Sequence, residues 1–140
     1  MKNQVSNLIN HLQHVGIPVT DLSVSEAFYH RLGFIRVMHS AFDDDGETGT
    51  CVMMKNKSII IELYQLPAHK LKAIRDRNDG HIDHITFGVH DIDETFAALK
   101  DASFDIIEEQ PVFLPFWENG CKYFNILGPN GERLEFNQIL

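Results

Sequence analysis

Cysteine is nearly absent from this 140-residue chain, which has only Cys51 and Cys121. Each sits inside a strand-like apolar run and in no metal-ligand spacing. That excludes a disulfide-stapled secreted scaffold, and both are expected as reduced thiols of a cytoplasmic protein. Positive charge is scarce as well: 12 Lys and Arg stand against 20 Asp and Glu, a formal net charge of −8. No basic stripe interrupts this balance, so nucleic acid and anionic membrane surfaces are excluded as main partners, since both need clustered Lys and Arg. No apolar run approaches the roughly eighteen residues that a membrane span needs. The opening stretch, MKNQVSNLINHLQ, lacks the apolar core of a signal peptide. What is present is ordinary for a globular protein, 44% hydrophobic and 23% charged residues. A single domain over residues 1–140 is expected.

The pattern along the chain alternates between strand and helix signals. HLQHVGIPV, residues 11–19, alternates and is rich in Val and Ile, which marks a strand. Asp21 reads as the N-cap of a helix to about Leu32, with Val24, Ala27, Phe28 and Leu32 as its apolar stripe. FIRVMHS reads as a strand, AFDDDGETG as an acidic loop, and TCVMMKNKSIIIELYQL as a hairpin turning at residues 55–57. PAHKLKAIRDRNDG reads as a partly helical connector. The order then restarts: a strand over residues 81–90, a helix capped by Asp91 to about Ala102, and a strand at SFDIIEE. PVFLPFWENG follows as an irregular arm or Pro-bent edge strand, then a strand at CKYFNIL, a turn at GPNG and a last strand at ERLEFNQIL.

The two halves superpose. An offset of 70 matches His11 with His81, His14 with His84, Asp21 with Asp91 and Phe34 with Phe104; by the end of each half the offset is 73, matching Glu62 with Glu135 and Gln65 with Gln138. The chain is thus an α+β protein of two tandem βαβββ modules, about 9–66 and about 81–140, joined by a connector at about 67–80. Two copies are too few for a solenoid and suggest a pseudo-symmetric pair of half-barrels.

Strand side chains alternate faces. Val15, Ile17 and Val19 share the face suited to packing under a helix, which leaves His14 on the other face. Ile85, Phe87 and Val89 do the same for His84. Glu62 lies opposite Ile61 and Leu63, and Glu135 opposite Leu134 and Phe136. Each half therefore offers one His and one Glu on the face away from its helix. Two carboxylates in one cleft repel unless a cation joins them, and imidazole with carboxylate suits Ni, Zn, Co, Fe or Mn. His14, Glu62, His84 and Glu135 are the expected ligands of a divalent metal ion, with coordination positions left for two oxygens of a small-molecule substrate. His11 and His81 point to the opposite strand face and are expected at strand entries. His30, His39, His69 and His90 lack matched partners and are expected on the surface. Met53, Tyr64, Phe116, Trp117, Tyr123 and Asn125 are candidate pocket walls, with the PVFLPFWENG arm as a rim or lid.

HVGIPVTDLSVSEAFYHRLGF, IIIELYQ, DHITFGVHDIDETFAALKDASF and GPNGERLEFNQ resemble the vicinal oxygen chelate superfamily. This is the glyoxalase, bleomycin-resistance and dioxygenase group, and the resemblance covers nearly the whole chain. It implies paired βαβββ modules, metal ligation by His14, Glu62, His84 and Glu135, and frequent dimers, some with sites built across the interface. Four intact ligands resemble the glyoxalase I and methylmalonyl-CoA epimerase branches. The implied activity is a metal-dependent lyase or isomerase that moves a proton beside a chelated carbonyl, with Glu135 as the favoured base and Glu62 as the second candidate. The alternatives within the superfamily are an iron-dependent extradiol dioxygenase, which uses only one carboxylate, and a non-catalytic drug-binding protein. One position departs from glyoxalase I: Pro18 stands where an arginine usually helps to hold glutathione, and only Gln65 offers a partial match, so glutathione is not expected as the thiol carrier.

Overall fold

The computed structural model describes residues 14–77, 84–114 and 118–140. Among the described residues, eight strands form two four-stranded sheets, one from each repeat. The first sheet contains β1 (Val15–Pro18), β2 (Ile35–Asp44), β3 (Glu47–Asn56) and β4 (Ile59–Gln65), in the order β1-β4-β3-β2. The second contains β5 (Ile85–Gly88), β6 (Val112–Leu114), β7 (Cys121–Leu127) and β8 (Arg133–Ile139), in the order β5-β8-β7-β6. Helix α1 (Leu22–Arg31) follows β1, and α3 (Ile92–Asp101) follows β5. The connector holds a 3-10 turn (Ala68–Lys70) and a short helix, α2 (Leu71–Arg75). In both sheets the first strand of the repeat runs parallel to the last, and the remaining pairs are antiparallel. This is the α+β, two-module architecture expected.

Matched residues build both βαβ crossovers. Asp21 caps α1 by accepting from the Val24 N–H at 3.1 Å, and Asp91 caps α3 by accepting from the Glu94 N–H at 2.9 Å. Gln65 and Gln138, at the ends of β4 and β8, supply a second acceptor to each helix start. Their Oε1 atoms take the Leu22 and Ile92 N–H groups at 2.7 and 2.9 Å.

One hydrophobic cluster draws on both repeats, from Ile17, Val19, Val52, Ile61 and Leu63 to Phe87, Phe124, Ile126, Leu134 and Phe136. Tyr29 and Phe34 of the first repeat join it, and Phe28 makes an edge contact with Phe104, with ring centroids 5.6 Å apart. The helix-facing sides of the two repeats therefore share a core. A polar bolt crosses the same seam. Asn130, in the turn before β8, accepts from Thr20 N and Oγ1 at 2.8 and 3.0 Å and donates to Ser25 Oγ at 2.9 Å. Glu132 accepts from Tyr29 Oη at 3.2 Å and from Asn130 N at 2.8 Å.

Several local expectations are corrected. The acidic stretch at residues 41–49 is strand rather than loop: β2 and β3 pair down to Asp44 and Glu47, and only Asp45 and Gly46 turn, both with positive φ of 53° and 82°. The Lys70 ammonium bonds Asp44 at 2.8 Å and Asp45 at 3.2 Å, relieving charge at that tip. SFDIIEE is not a strand; only Ile106 bridges to Ile126, after Ser103 takes a φ of 60°. The buried positions of α1 are Ser25 and Tyr29, whereas Val24 is 52% exposed, because the polar ends of Ser25 and Tyr29 are satisfied across the seam.

Candidate metal-binding half-sites

The parallel pairing of β1 with β4 sets Gly16 beside Glu62 and carries His14 to the edge of the same face. His14 Nε2 stands 3.2 Å from Glu62 Oε2. The second repeat copies this: Thr86 pairs with Glu135, and His84 Nε2 stands 3.4 Å from Glu135 Oε2. The side chains of His14 and Glu62 are 30% and 26% exposed, those of His84 and Glu135 39% and 16%. Both pairs lie on the sheet faces opposite the shared core, since Ile61, Leu63, Leu134 and Phe136 point inward.

The spacing fits a metal. Two ligand atoms about 2.1 Å from one ion stand about 3.0 Å apart at a right angle and about 3.4 Å apart at the tetrahedral angle. Each His–Glu pair falls in that window and combines one imidazole with one carboxylate, a donor set suited to first-row divalent ions. Among the described residues, no set of three or more His, Cys, Asp or Glu side chains gathers closely enough to hold a metal ion. Among the described residues, the two His–Glu pairs thus stand apart as two candidate half-sites.

The carboxylates have different neighbours. Cys51 on β3 is buried, on the strand face that carries Met53 opposite Glu62; burial first, and the Glu62 charge second, push the thiol's pKa above its usual value. Glu135 instead accepts a hydrogen bond from Asn137 Nδ2 at 3.0 Å, and the same amide nitrogen reaches Cys121 Sγ at 3.6 Å. Neither cysteine is in a disulfide.

The other candidates sort as follows. Met53 pairs with Glu62 across β3 and β4, and Tyr64 follows two residues after Glu62 on the same face; both are half-buried. Tyr123 pairs with Asn137 and is half-buried beside the second half-site. Asn125 pairs with Glu135 but is only 5% exposed. Glu108 clamps its backbone N–H at 2.6 Å and its side-chain amide at 2.7 Å, so Asn125 belongs to the scaffold more than to a wall. Gln65 spends its carbonyl on the start of α1. His30, His39, His69 and His90 are exposed, as expected. His11, His81, Phe116 and Trp117 lie outside the described residues. Sequence reasoning missed the polar neighbours of the glutamates, Cys51 and Asn137. The face alternation that found Glu62 and Glu135 also places Asn137 on the Glu135 face, and was the available signal. A cleft of 290 Å³ lies where β1 and β4 meet β5, with His14 on one side and Thr86 on the other.

Among the described residues, no helix is long and apolar enough to cross a membrane. The chain is 30% identical to the Bacillus subtilis (strain 168) protein YwbC, covering 91% of this chain and 96% of that one. Its fold is similar to the glyoxalase family protein from Enterococcus faecalis (TM-score 0.70, 19% identity, 93% and 98% of the two chains). It is also similar to the fosfomycin resistance protein FosX from Listeria monocytogenes (TM-score 0.65, 13% identity, 94% and 93%). The family model for the Glyoxalase/Bleomycin resistance protein/Dioxygenase superfamily matches residues 11–136. With that match spanning both His–Glu repeats, the chain belongs to the glyoxalase/bleomycin resistance protein/dioxygenase superfamily.

Proposed function

We propose that this protein is a divalent-metal-dependent, glyoxalase I-like lyase or isomerase that works as a homodimer. In this reading the His14–Glu62 pair of one protomer faces the His84–Glu135 pair of its partner. The carrying observation is the presence of two His–Glu pairs at ligand spacing on outward faces, with no third His, Cys, Asp or Glu gathered at either among the described residues. A two-fold dimer closes both half-sites at once, because an isologous interface presents the same two surfaces twice. Members of this superfamily commonly bind divalent metals and small molecules and often form dimers, which supports the same reading.

A divalent ion held by these four side chains would supply Lewis-acid polarisation of a substrate carbonyl. The chain's own part is proton transfer and enclosure. A glutamate takes the proton from the carbon beside the carbonyl and returns it to the neighbouring atom. Tyr64, Met53 and Tyr123 form the walls that orient the substrate, and a small hemithioacetal or hydroxy-carbonyl is the class that fits. Pro18 cannot hold an anionic thiol carrier as an arginine would, which favours a thiol other than glutathione.

Mixing two inactive variants tests the assembly. His14→Ala and His84→Ala should each lower metal affinity by more than about 100-fold, since loss of a ligand's supporting partner alone costs about 10- to 100-fold. Heterodimers formed from the two contain one wild-type site and one doubly altered site. They should recover one tight metal per dimer and half of the wild-type turnover on a hemithioacetal panel. Recovery of neither would place the sites within single chains, and unchanged metal binding in both variants would reject the metal centre.

A further inference from the structure

The first sheet ends on a long strand with nothing paired beyond it among the described residues. β2 is last in the order β1-β4-β3-β2, and its ten residues pair with β3 alone. Residues 35–41 are exposed without a break, among them Ile35 at 60%, Val37 at 50% and Met38 at 36%. An unpaired edge invites pairing with another chain, and proteins usually blunt it with brevity, proline or lysine. The matching edge of the second repeat is blunted: β6 spans only Val112–Leu114 among the described residues and begins directly after Pro111. β2 contains neither proline nor lysine.

We infer that the free edge of β2 is a self-pairing interface, at which two copies of the chain join their β2 strands antiparallel about a two-fold axis at Ser40. The joined sheets then form one sheet of eight strands. This does not depend on the metal-centre reading. The half-sites lie on β1, β4, β5 and β8, and β2 is at the opposite end of the first sheet from β1.

The register follows from which face each residue takes, because residues directly opposite across antiparallel strands share a face. Arg36, His39, Ala41 and Asp43 pair with Met54, Val52, Thr50 and Thr48, on the core side, where Val52 and Met54 are buried. Met38, Ser40 and Phe42 pair with Met53, Cys51 and Gly49, on the Glu62 side. Val37 is the extra residue of the bulge between Arg36 and Met38. A two-fold axis at Ser40 keeps both sets in step. Met38 then meets the partner's Phe42, His39 meets the partner's Ala41 and, beyond the bulge, Arg36 meets the partner's Asp43. Apolar side chains face apolar ones, and opposite charges face each other twice.

Those charges have capacity to spare. Arg36 donates from Nε and Nη2 to Glu26 at 2.5 and 2.6 Å, which leaves Nη1 without a partner among the described residues. Asp43 makes no ion pair there, and its carboxylate accepts only the Gly46 N–H at 3.4 Å. An arginine fork has five N–H donors, enough for carboxylates on two sides. A cleft of 480 Å³ between α1 and β2, lined by Glu26, Ile35 and Arg36, gives the second carboxylate room to enter.

Sedimentation of the full chain tests the interface. The wild type should form a dimer through β2 alone, or a tetramer where the half-site dimer forms as well. Met38→Lys sets an ammonium against the partner's Phe42 and should halve the mass in either case. Asp43→Arg and Arg36→Asp should each weaken the β2 association by about tenfold or more, since like charges then oppose each other at both contacts. An equimolar mixture of those two variants should regain it, because each contact of the mixed pair sets an arginine against an aspartate; a misfolded variant could not be rescued in this way. Cross-linking reads the axis directly. In a Cys51→Ala background, which removes the thiol paired across from Ser40, Ser40→Cys should oxidise with diamide to a disulfide-linked dimer. Paired Cα atoms about 5 Å apart suit that bond. Asp45→Cys, at the hairpin tip, should not cross-link. A wild-type chain that stays monomeric, or the absence of a Ser40→Cys cross-link, would overturn the inference. A wild-type dimer whose mass Met38→Lys leaves unchanged would overturn it too, while leaving the half-site dimer standing.

Discussion

The first and second repeats share a backbone plan and differ in what fills it. Register equates Val52 with Phe124, Met53 with Asn125, Cys51 with Tyr123 and Tyr64 with Asn137, each counted from the matched glutamates. The contacts that shape the crossovers are kept in both repeats: Asp21 and Asp91 at the caps, Gln65 and Gln138 at the helix starts. The residues that fill the core and flank the glutamates have diverged. A duplicated fold therefore holds its helix-start hydrogen bonds fixed while the residues around its core and its glutamates diverge.

The largest effect that tests this contrast lies in the core. Phe124 is fully buried, stacked on Phe136 at 5.2 Å and 14° and meeting Phe96 edge-on at 5.1 Å and 85°. Phe124→Ala should cost about 3–5 kcal/mol, the range for deleting a buried aromatic. Val52→Ala, at the matched position, should cost about 2 kcal/mol, near the burial value of a valine. Urea unfolding with unchanged m-values measures both. Equal losses would mean that the aromatic stack adds nothing beyond its counterpart.

Much of this fold is legible in the sequence, for identifiable reasons. Strict alternation exposes β1, β4, β5 and β8, because each has one face on the core and one away from it. The Asp caps are legible because side-chain acceptors at helix starts satisfy N–H groups that nothing else reaches. The long β2–β3 hairpin is hidden, since Asp and Gly depress strand propensity and the pairing of Asp44 with Glu47 is held by backbone bonds and by Lys70 from the connector. Ser25 and Tyr29 escape an apolar-stripe reading because their partners, Asn130 and Glu132, lie more than a hundred residues away. For the candidate site, the repeat reveals each His–Glu pair. It does not reveal that the pairs stay apart in one chain, because periodicity reports which face a residue occupies and not which faces meet.

A smaller effect concerns the bolt between the repeats, which exists only once. The position matching Glu132 in the first repeat is Ile59, which is 37% exposed. Glu132 is 4% exposed, and its burial raises its pKa above the ordinary carboxylate range despite hydrogen bonds from Asn130 and Tyr29 that pull the other way. A carboxyl with a raised folded-state pKa contributes stability that is fully present below its unfolded pKa. That contribution is lost as pH rises through the folded value. The stability difference between wild type and Glu132→Gln should therefore shrink as pH climbs from acid through that range, because the amide does not titrate. Glu132→Ala, which strands the Tyr29 hydroxyl, should cost about 1–3 kcal/mol at acid pH, and that cost should decline with rising pH as it does for the amide variant. A pH-independent difference between wild type and Glu132→Gln would show that the bolt keeps one protonation state throughout.

The smallest effect belongs to the feature both repeats keep. Gln65→Ala and Gln138→Ala each remove an acceptor from the first N–H of a helix and should each cost about 1 kcal/mol, the usual net value of one hydrogen bond. The two losses should not be quite equal. Helix α3 has Asp93 and Glu94 in its first turn to favour its positive end, whereas α1 has no acid there, so α1 depends more on Gln65. Thermal melts of the two variants measure the order. Comparing turnover of Gln65→Ala on hemithioacetals of different thiols also decides whether Gln65 serves substrate: a helix-start residue lowers stability without changing the ranking of thiols, whereas a thiol-carrier contact would change the ranking at constant stability.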